Sequence, residues 1–147
     1  MPFFSVIITA YNRAETICSA VDSLIAQSEN DWECIIVDDG SIDASMSKIK
    51  NYLRCSKFRY FFHENRGAGF SKNRGISEAE GDYITFLDSD DEYLPEHLFV
   101  RKKILVENKE IDILHGGCKI IGNPFVPDVD NPGGKIHLNN CIIGGTF

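Results

Sequence analysis

The chain has 147 residues, 43% hydrophobic and 25% charged, a mixture that can bury the core of one domain. A net charge of −7, with no Lys/Arg run longer than three residues, argues against a basic nucleic-acid-binding surface. An anionic ligand would therefore need a metal cation or backbone N–H groups to help hold it.

The opening stretch "MPFFSVIITAYN" has an apolar run too short to span a membrane. It has neither the basic start nor the cleavage site of a secretory leader. It reads as a first strand over 5–9. Ile17, Ala20, Val21, Leu24 and Ile25 then recur on one helical face, and Asn12 and Glu15 have the spacing of a capping box before it. "ECIIVD" (33–38) is the second strand. Ile42, Met46, Ile49 and Leu53 predict a second helix, capped by Ser41 or Asp43. "FRYFF" (58–62) is a third strand, followed by a shorter helix from Gly69 to Ala79. "YITFL" (83–87) is a fourth. The second and fourth strands are nearly continuous apolar runs, the pattern of strands covered on both faces. Pro95 suits the first position of a fourth helix running to about Val106. Beyond it the chain is rich in Gly, Asn and Pro. A strand is expected near Ile113–Ile121, then a loop and a short segment at Ile136–Leu138. The end, "CIIGGTF", reads as the interior of a structural unit. Five scattered cysteines, with no C-x-x-C pair, read as buried reduced thiols in a reducing compartment.

Alternating strands and helices predict an α/β fold: an open, mostly parallel sheet with helices on both faces, incomplete at its C-terminus. In such sheets ligands bind beyond the C-terminal strand ends. The unusual polar residues fall there. Thr9, Ala10, Tyr11 and Asn12 follow the first strand, and Asp38-Asp39-Gly40-Ser41 the second. Asn65 to Gly69 follow the third, and Asp88-Ser89-Asp90-Asp91-Glu92 the fourth. Four strand ends converging on one edge predict a single site.

Each segment has a bland reading and a chemical one. The acidic cluster suits a hard divalent cation, Mg²⁺ or Mn²⁺, but also a solvated turn before a helix. "VDDGS" can bond a ribose or base edge, or simply make a turn and a cap. Tyr11 could stack on a base or cover the sheet edge. In "ENRGAGFSKNRGI" (64–76), Gly67 and Gly69 allow close backbone approach, and Lys72 or Arg74 brings charge to a phosphate. The stretch is neither a P-loop nor a G-x-G-x-x-G fingerprint.

The ordered set "SVIITAYN", "VDDGSIDAS", "NRGAGFSKNRGI" and "GDYITFLDSDDEYLP" resembles the family 2 glycosyltransferases of the GT-A fold, over Ser5 to about Leu114. The resemblance implies a nucleotide-sugar donor, with a UDP-sugar favoured, and a carbohydrate or lipid-linked acceptor hydroxyl. It implies Mn²⁺ or Mg²⁺ at a D-x-D motif falling on Asp88-Ser89-Asp90. Asp90 would be the direct metal ligand, with Asp88 near ribose or metal. Thr9, Tyr11 and Asp39, with Asp38 beside them, match positions that hold the nucleotide. The family's A-R-N triplet is here Ser71-Lys72-Asn73, so Lys72 keeps a charge but loses the planar fork of Arg. The resemblance implies inversion at the anomeric carbon, with a carboxylate as general base. No acidic motif matching that base occurs between His115 and Phe147.

Residues 1–114 are thus expected to form a nucleotide-sugar-binding half, and 115–147 the start of an acceptor-side region. A binding module without independent catalysis is the alternative. Cytoplasmic localisation is expected, with room for peripheral contact at the inner membrane face and for a homodimer. A receiver domain would place its acidic pair after the first strand, and a haloacid-dehalogenase-type phosphatase would follow its D-x-D with Gly and Thr or Val. Neither pattern occurs.

Overall fold

The computed structural model describes residues 1–114, 125–127 and 135–137. Four strands, β1 (Phe4–Ala10), β2 (Trp32–Asp38), β3 (Phe58–Phe62) and β4 (Tyr83–Phe86), form one parallel sheet in the order β3-β2-β1-β4. The helices α1 (Ile17–Ile25), α2 (Ser45–Ile49), α3 (Ala68–Glu78) and α4 (His97–Glu107) alternate with them, and a single 3₁₀ turn covers Tyr52–Arg54. These elements fall in one compact unit, Met1–Asn108. A second unit from Lys109 contains β5 (Phe125–Pro127) paired antiparallel with β6 (Lys135–His137).

β1 and β2 pair in register over seven residues, Phe4 with Trp32 through Ala10 with Asp38. Every residue of β2 is buried, as its continuous apolar run predicts. In-register residues of parallel strands share a face. Ile7, Ile35 and Val37 thus form one cluster, extended by Phe61 and Ala79. α3 covers that face, and Gly75 lies against Ile7. α1 lies on the other face and buries Ile17, Ala20, Val21 and Leu24. There Ser23 of α1 accepts the Tyr93 N–H (3.0 Å), and the Tyr93 hydroxyl meets Thr85 of β4 and the Phe86 carbonyl, both at 2.8 Å. Gln27, itself buried, accepts the Leu98 N–H (3.0 Å) and donates to the Leu94 carbonyl (2.8 Å), tying α1 to the start of α4.

At the N-terminal strand ends, buried Glu33 accepts from the Ser5 hydroxyl (2.6 Å), the Glu80 N–H (2.7 Å) and Arg59 (3.3 Å). Arg59 also reaches Glu78 and Glu80. The carboxylates at this end are paired at close range.

Several expectations are corrected. β4 is not covered on both faces: among the described residues it is an edge strand, with Ile84 and Phe86 each 39% exposed. Ile25 is exposed rather than part of the α1 core face. No capping box forms. Thr16 is the N-cap without a side-chain bond, and Asn12 instead adopts a left-handed φ of 53° and accepts the Ile42 N–H. α2 is one short turn, so Ile42 and Met46 are exposed and only Ile49 is buried; Asp43 holds its start through the Ser45 N–H (2.9 Å). Pro95 precedes α4 rather than opening it, and its carbonyl accepts the Ser28 N–H. Ile113 and Leu114 are not in a strand, and the rest of the segment expected to 121 lies outside the described residues. β6 falls where the segment near Ile136 is expected. Of the cysteines described, Cys34 is buried in β2, Cys18 is half-buried and Cys55 is exposed. Among the described residues no helix is long and apolar enough to cross a membrane.

Two outcomes are expected. A Cβ at Gly75 would lie 2.5 Å from Ile7 Cγ2, so Gly75→Ala should cost about 1–3 kcal/mol, read from the urea midpoint at unchanged slope. His97 stacks on Tyr93 at 3.7 Å, and burial, with the charge of Arg101, presses its imidazole down to about 4. The unfolded chain takes up that proton near pH 6.5 while the folded chain refuses it, so stability is present above that pH and is lost as pH falls toward 4. Between about pH 7.5 and about pH 5 the loss should be about 1–2 kcal/mol after discount for partial exposure, and absent in His97→Phe.

Candidate functional site

A cleft of about 580 Å³ opens at the C-terminal ends of the strands. It gathers Thr9, Ala10 and Tyr11 from the end of β1 and just beyond, Asp39 directly after β2, Gly67 and Lys72 from the N-cap and start of α3, and Asp88, Ser89 and Asp90 from the turn after β4. These segments are far apart in sequence. The parallel sheet brings them together because every strand of one direction ends on the same edge.

Asp39 organises the floor. It is buried, and its two carboxylate oxygens accept the N–H groups of Arg66 (2.7 Å) and Gly67 (2.9 Å). This fixes the turn that leads into α3. Gly67 stands at φ 89°, a conformation that an L side chain rarely adopts. The imidazole of His63 lies 3.4 Å from Asp39. Its Nδ1 donates to the Glu64 carbonyl (2.8 Å), and its Nε2 lies 3.2 Å from the Ser71 hydroxyl. The first turn of α3 thereby presents its N-terminal end to the cleft, where unpaired N–H groups and the helix dipole favour an anion.

The opposite wall is acidic. Asp88 and Asp90 are each more than half exposed. Burial, then the charges of Asp88 and Asp90, hold the Asp91 carboxyl above the usual carboxylate range. Two cations face the wall loosely: Lys72 Nζ is 3.4 Å from Asp88 and Arg13 is 3.6 Å from Asp90. Both distances exceed those of a tight charge-assisted bond. Hard carboxylate oxygens suit Mg²⁺ or Mn²⁺, yet among the described residues no three potential ligands cluster. Two carboxylates alone are too few for such a cation, so any bound there would need further oxygens from water or a ligand.

Two residues of the sequence-based set lie outside the cleft. Asp38 is the neighbour of Asp39, and alternation along β2 turns it to the other face. There, buried, it accepts the Ser41 N–H (2.7 Å) and the Tyr60 hydroxyl (2.8 Å), and burial together with its charge pushes the Tyr60 phenol up. Asn12 is spent on the Ile42 N–H and the Ser41 hydroxyl. Arg13, Asn65, Ala68 and Ser71 line the cleft beyond that set. The signal for Arg13 is a cation directly after the "TAYN" strand end in an acidic chain.

A family model described as glycosyl transferase family 2 matches residues 5–120. The chain belongs to that family. It is 38% identical over 108 residues to an uncharacterised glycosyltransferase of Rickettsia felis, a match covering 73% of this chain and 18% of that protein. A crystal structure of S. aureus TarS 1–349 in complex with UDP-GlcNAc superposes with a TM-score of 0.69 at 29% identity, over 72% of this chain and 32% of that one. The mannosyltransferase PcManGT from Pyrobaculum calidifontis, in complex with GDP-Man and Mn²⁺, gives 0.58 at 23% identity, over 63% and 28%; this is a likeness of fold. This family 2 chain thus spans less than two thirds of each of these three proteins.

The loop tie made by Asp39 is directly testable. Asp39→Ala leaves two N–H groups without an acceptor and should cost about 1–3 kcal/mol of stability. Amide exchange at Arg66 and Gly67 should accelerate while β1 and β2 keep their protection.

Proposed function

We propose that this chain forms the donor-binding half of an inverting glycosyltransferase, which moves a sugar from a nucleoside-diphosphate donor to an acceptor hydroxyl with the help of a divalent cation. The observation that carries this reading is the cleft itself. Asp88 and Asp90 face, across one opening, a helix N-terminus, the Asp39-tied glycine turn and Lys72. An acidic wall opposite an anion-binding wall suits a diphosphate bridged by a cation and little else. The UDP-GlcNAc bound to TarS, at 29% identity, supports a UDP-sugar as donor.

The roles follow from position. Thr9 and Tyr11, at the end of β1, hold the nucleoside, Tyr11 offering a half-exposed ring on which a base can stack. Asp39 keeps the turn at Gly67 in place and presents the N-terminus of α3 to the phosphates. Asp88 and Asp90 would hold Mn²⁺ or Mg²⁺, which offsets the charge of the departing nucleoside diphosphate when bound. Lys72, released from Asp88, adds a positive charge as the sugar–phosphate bond lengthens.

A second reading has its own support. Among the described residues each carboxylate lining the cleft already has a task in this reading: Asp39 accepts two N–H groups, and Asp88 and Asp90 would hold the cation. None is left to take a proton from an acceptor hydroxyl. This favours donor binding without turnover by residues 1–114, with the acceptor, a carbohydrate or lipid-linked hydroxyl, activated by other parts of the protein.

Calorimetric titration with UDP, GDP, dTDP and ADP, each with and without Mn²⁺, tests the reading. UDP should bind with Mn²⁺ and lose about ten-fold or more without it or in Asp90→Ala. Equal binding with and without metal, or no binding of any nucleotide by the folded chain, would overturn it.

A further inference from the structure

The segment Asn12–Ala14 is pinned more firmly than its position after a strand requires. The Asn12 N–H donates to the Ser41 hydroxyl (2.9 Å), the Arg13 N–H to the Ser45 hydroxyl (2.8 Å) and the Ala14 N–H to an Asp43 oxygen (3.0 Å). Asn12 answers by accepting the Ile42 N–H (2.9 Å) from its left-handed backbone conformation. Three consecutive N–H groups are thus held by three side chains of the single loop "SIDAS". None of that loop lines the cleft. What it fixes is the point from which Arg13 departs.

Arg13 does reach the cleft. Its guanidinium is nearly half exposed and 3.6 Å from Asp90, a contact too long and too wet to hold it strongly. Lys72 approaches the same acidic turn from α3, 3.4 Å from Asp88. The backbone of Arg13 is therefore rigid while its tip is loosely engaged, the combination that a ligand-gripping side chain needs.

We infer that the Arg13 guanidinium grips the diphosphate of the nucleotide donor, supplying in this chain the planar, two-pronged contact that Lys72 cannot make. The inference rests on the proposed donor reading. A Lys ammonium is a point charge, whereas a guanidinium can give two parallel N–H bonds to phosphate oxygens. Without donor, Arg13 faces Asp90 in a loose contact of 3.6 Å. With donor bound, Asp90 would be free to help hold a cation, and Arg13 free to reach the phosphates. One side chain thus serves the carboxylate in one state and the ligand in the other.

Calorimetry with UDP plus Mn²⁺, with uridine, and with Mn²⁺ alone tests this on wild type, Arg13→Gln and Arg13→Lys. Arg13→Gln should bind UDP about ten-fold or more weakly and uridine unchanged, because only the diphosphate loses a partner. Arg13→Lys, which keeps the charge and loses the fork, should fall between the two for UDP. Mn²⁺ alone should bind Arg13→Gln more tightly than wild type, since Asp90 loses its competing cation. A purely structural role would weaken all three ligands together. The inference is overturned if Arg13→Gln binds UDP within about two-fold of wild type, or if uridine weakens as much as UDP. Wild type that binds uridine but gains nothing from the diphosphate overturns it too. Wild type that binds no nucleotide overturns the donor reading, and the inference with it.

Discussion

The seven-residue pairing of β1 with β2 is the constraint from which the rest follows. Both strands are almost wholly buried, so their backbone groups must bond one another and their side chains must be apolar or internally satisfied. Polar chemistry is driven to the strand ends. Parallel direction then places all the C-terminal ends on one edge, where Asp39, Asp88 and Gly67 meet although up to 49 positions separate them in the chain.

The two ends of the sheet handle negative charge in different ways. At the N-terminal end, Glu33, Glu78 and Glu80 gather around one guanidinium, that of Arg59, at 3.0–3.3 Å. That cluster is internally satisfied and needs no ligand. At the C-terminal end, Asp88 and Asp90 have cations only at 3.4 and 3.6 Å, and Asp91 beside them is held above its usual protonation range. The first arrangement stabilises the fold. The second leaves a negative field at an open edge, which a divalent cation would offset.

How much of this is legible in the sequence depends on the period of each segment. β2 is plain to read because a continuous apolar run of that length has few other uses. β4 looks alike in sequence yet lies half exposed among the described residues, since composition does not say which strand is central. The pair Asp38-Asp39 shows where reading can go further than it did: a period of two places adjacent strand residues on opposite faces, so only one could line the cleft. Asn12 misleads for another reason. Its spacing to Glu15 fits a local cap, but its side chain is taken by Ile42, a partner 30 residues away that no local pattern reveals. The stripe Ile42–Met46–Ile49 fails likewise, because the polar bonds of Ser41, Asp43 and Ser45 to residues 12–14 set the course of that loop before α2 can form. Arg13 leaves only a faint trace in the sequence, a cation directly after "TAYN", because the bonds that brace its stretch of backbone span 29 or more positions.

The burial of Cys34 at the centre of β2 has a consequence for following the sheet in solution. Its side chain is fully enclosed, and burial, helped by the neighbouring Glu33 charge, pushes its thiol far up from the ordinary value. Alkylating reagents attack the thiolate, so Cys34 is shielded both by sterics and by protonation while β2 stays paired. Cys55, on the surface, has no such steric shield. The slow reaction at Cys34 therefore counts openings of the central strand, an internal clock for the rarest motion of the domain, with no label added to the chain.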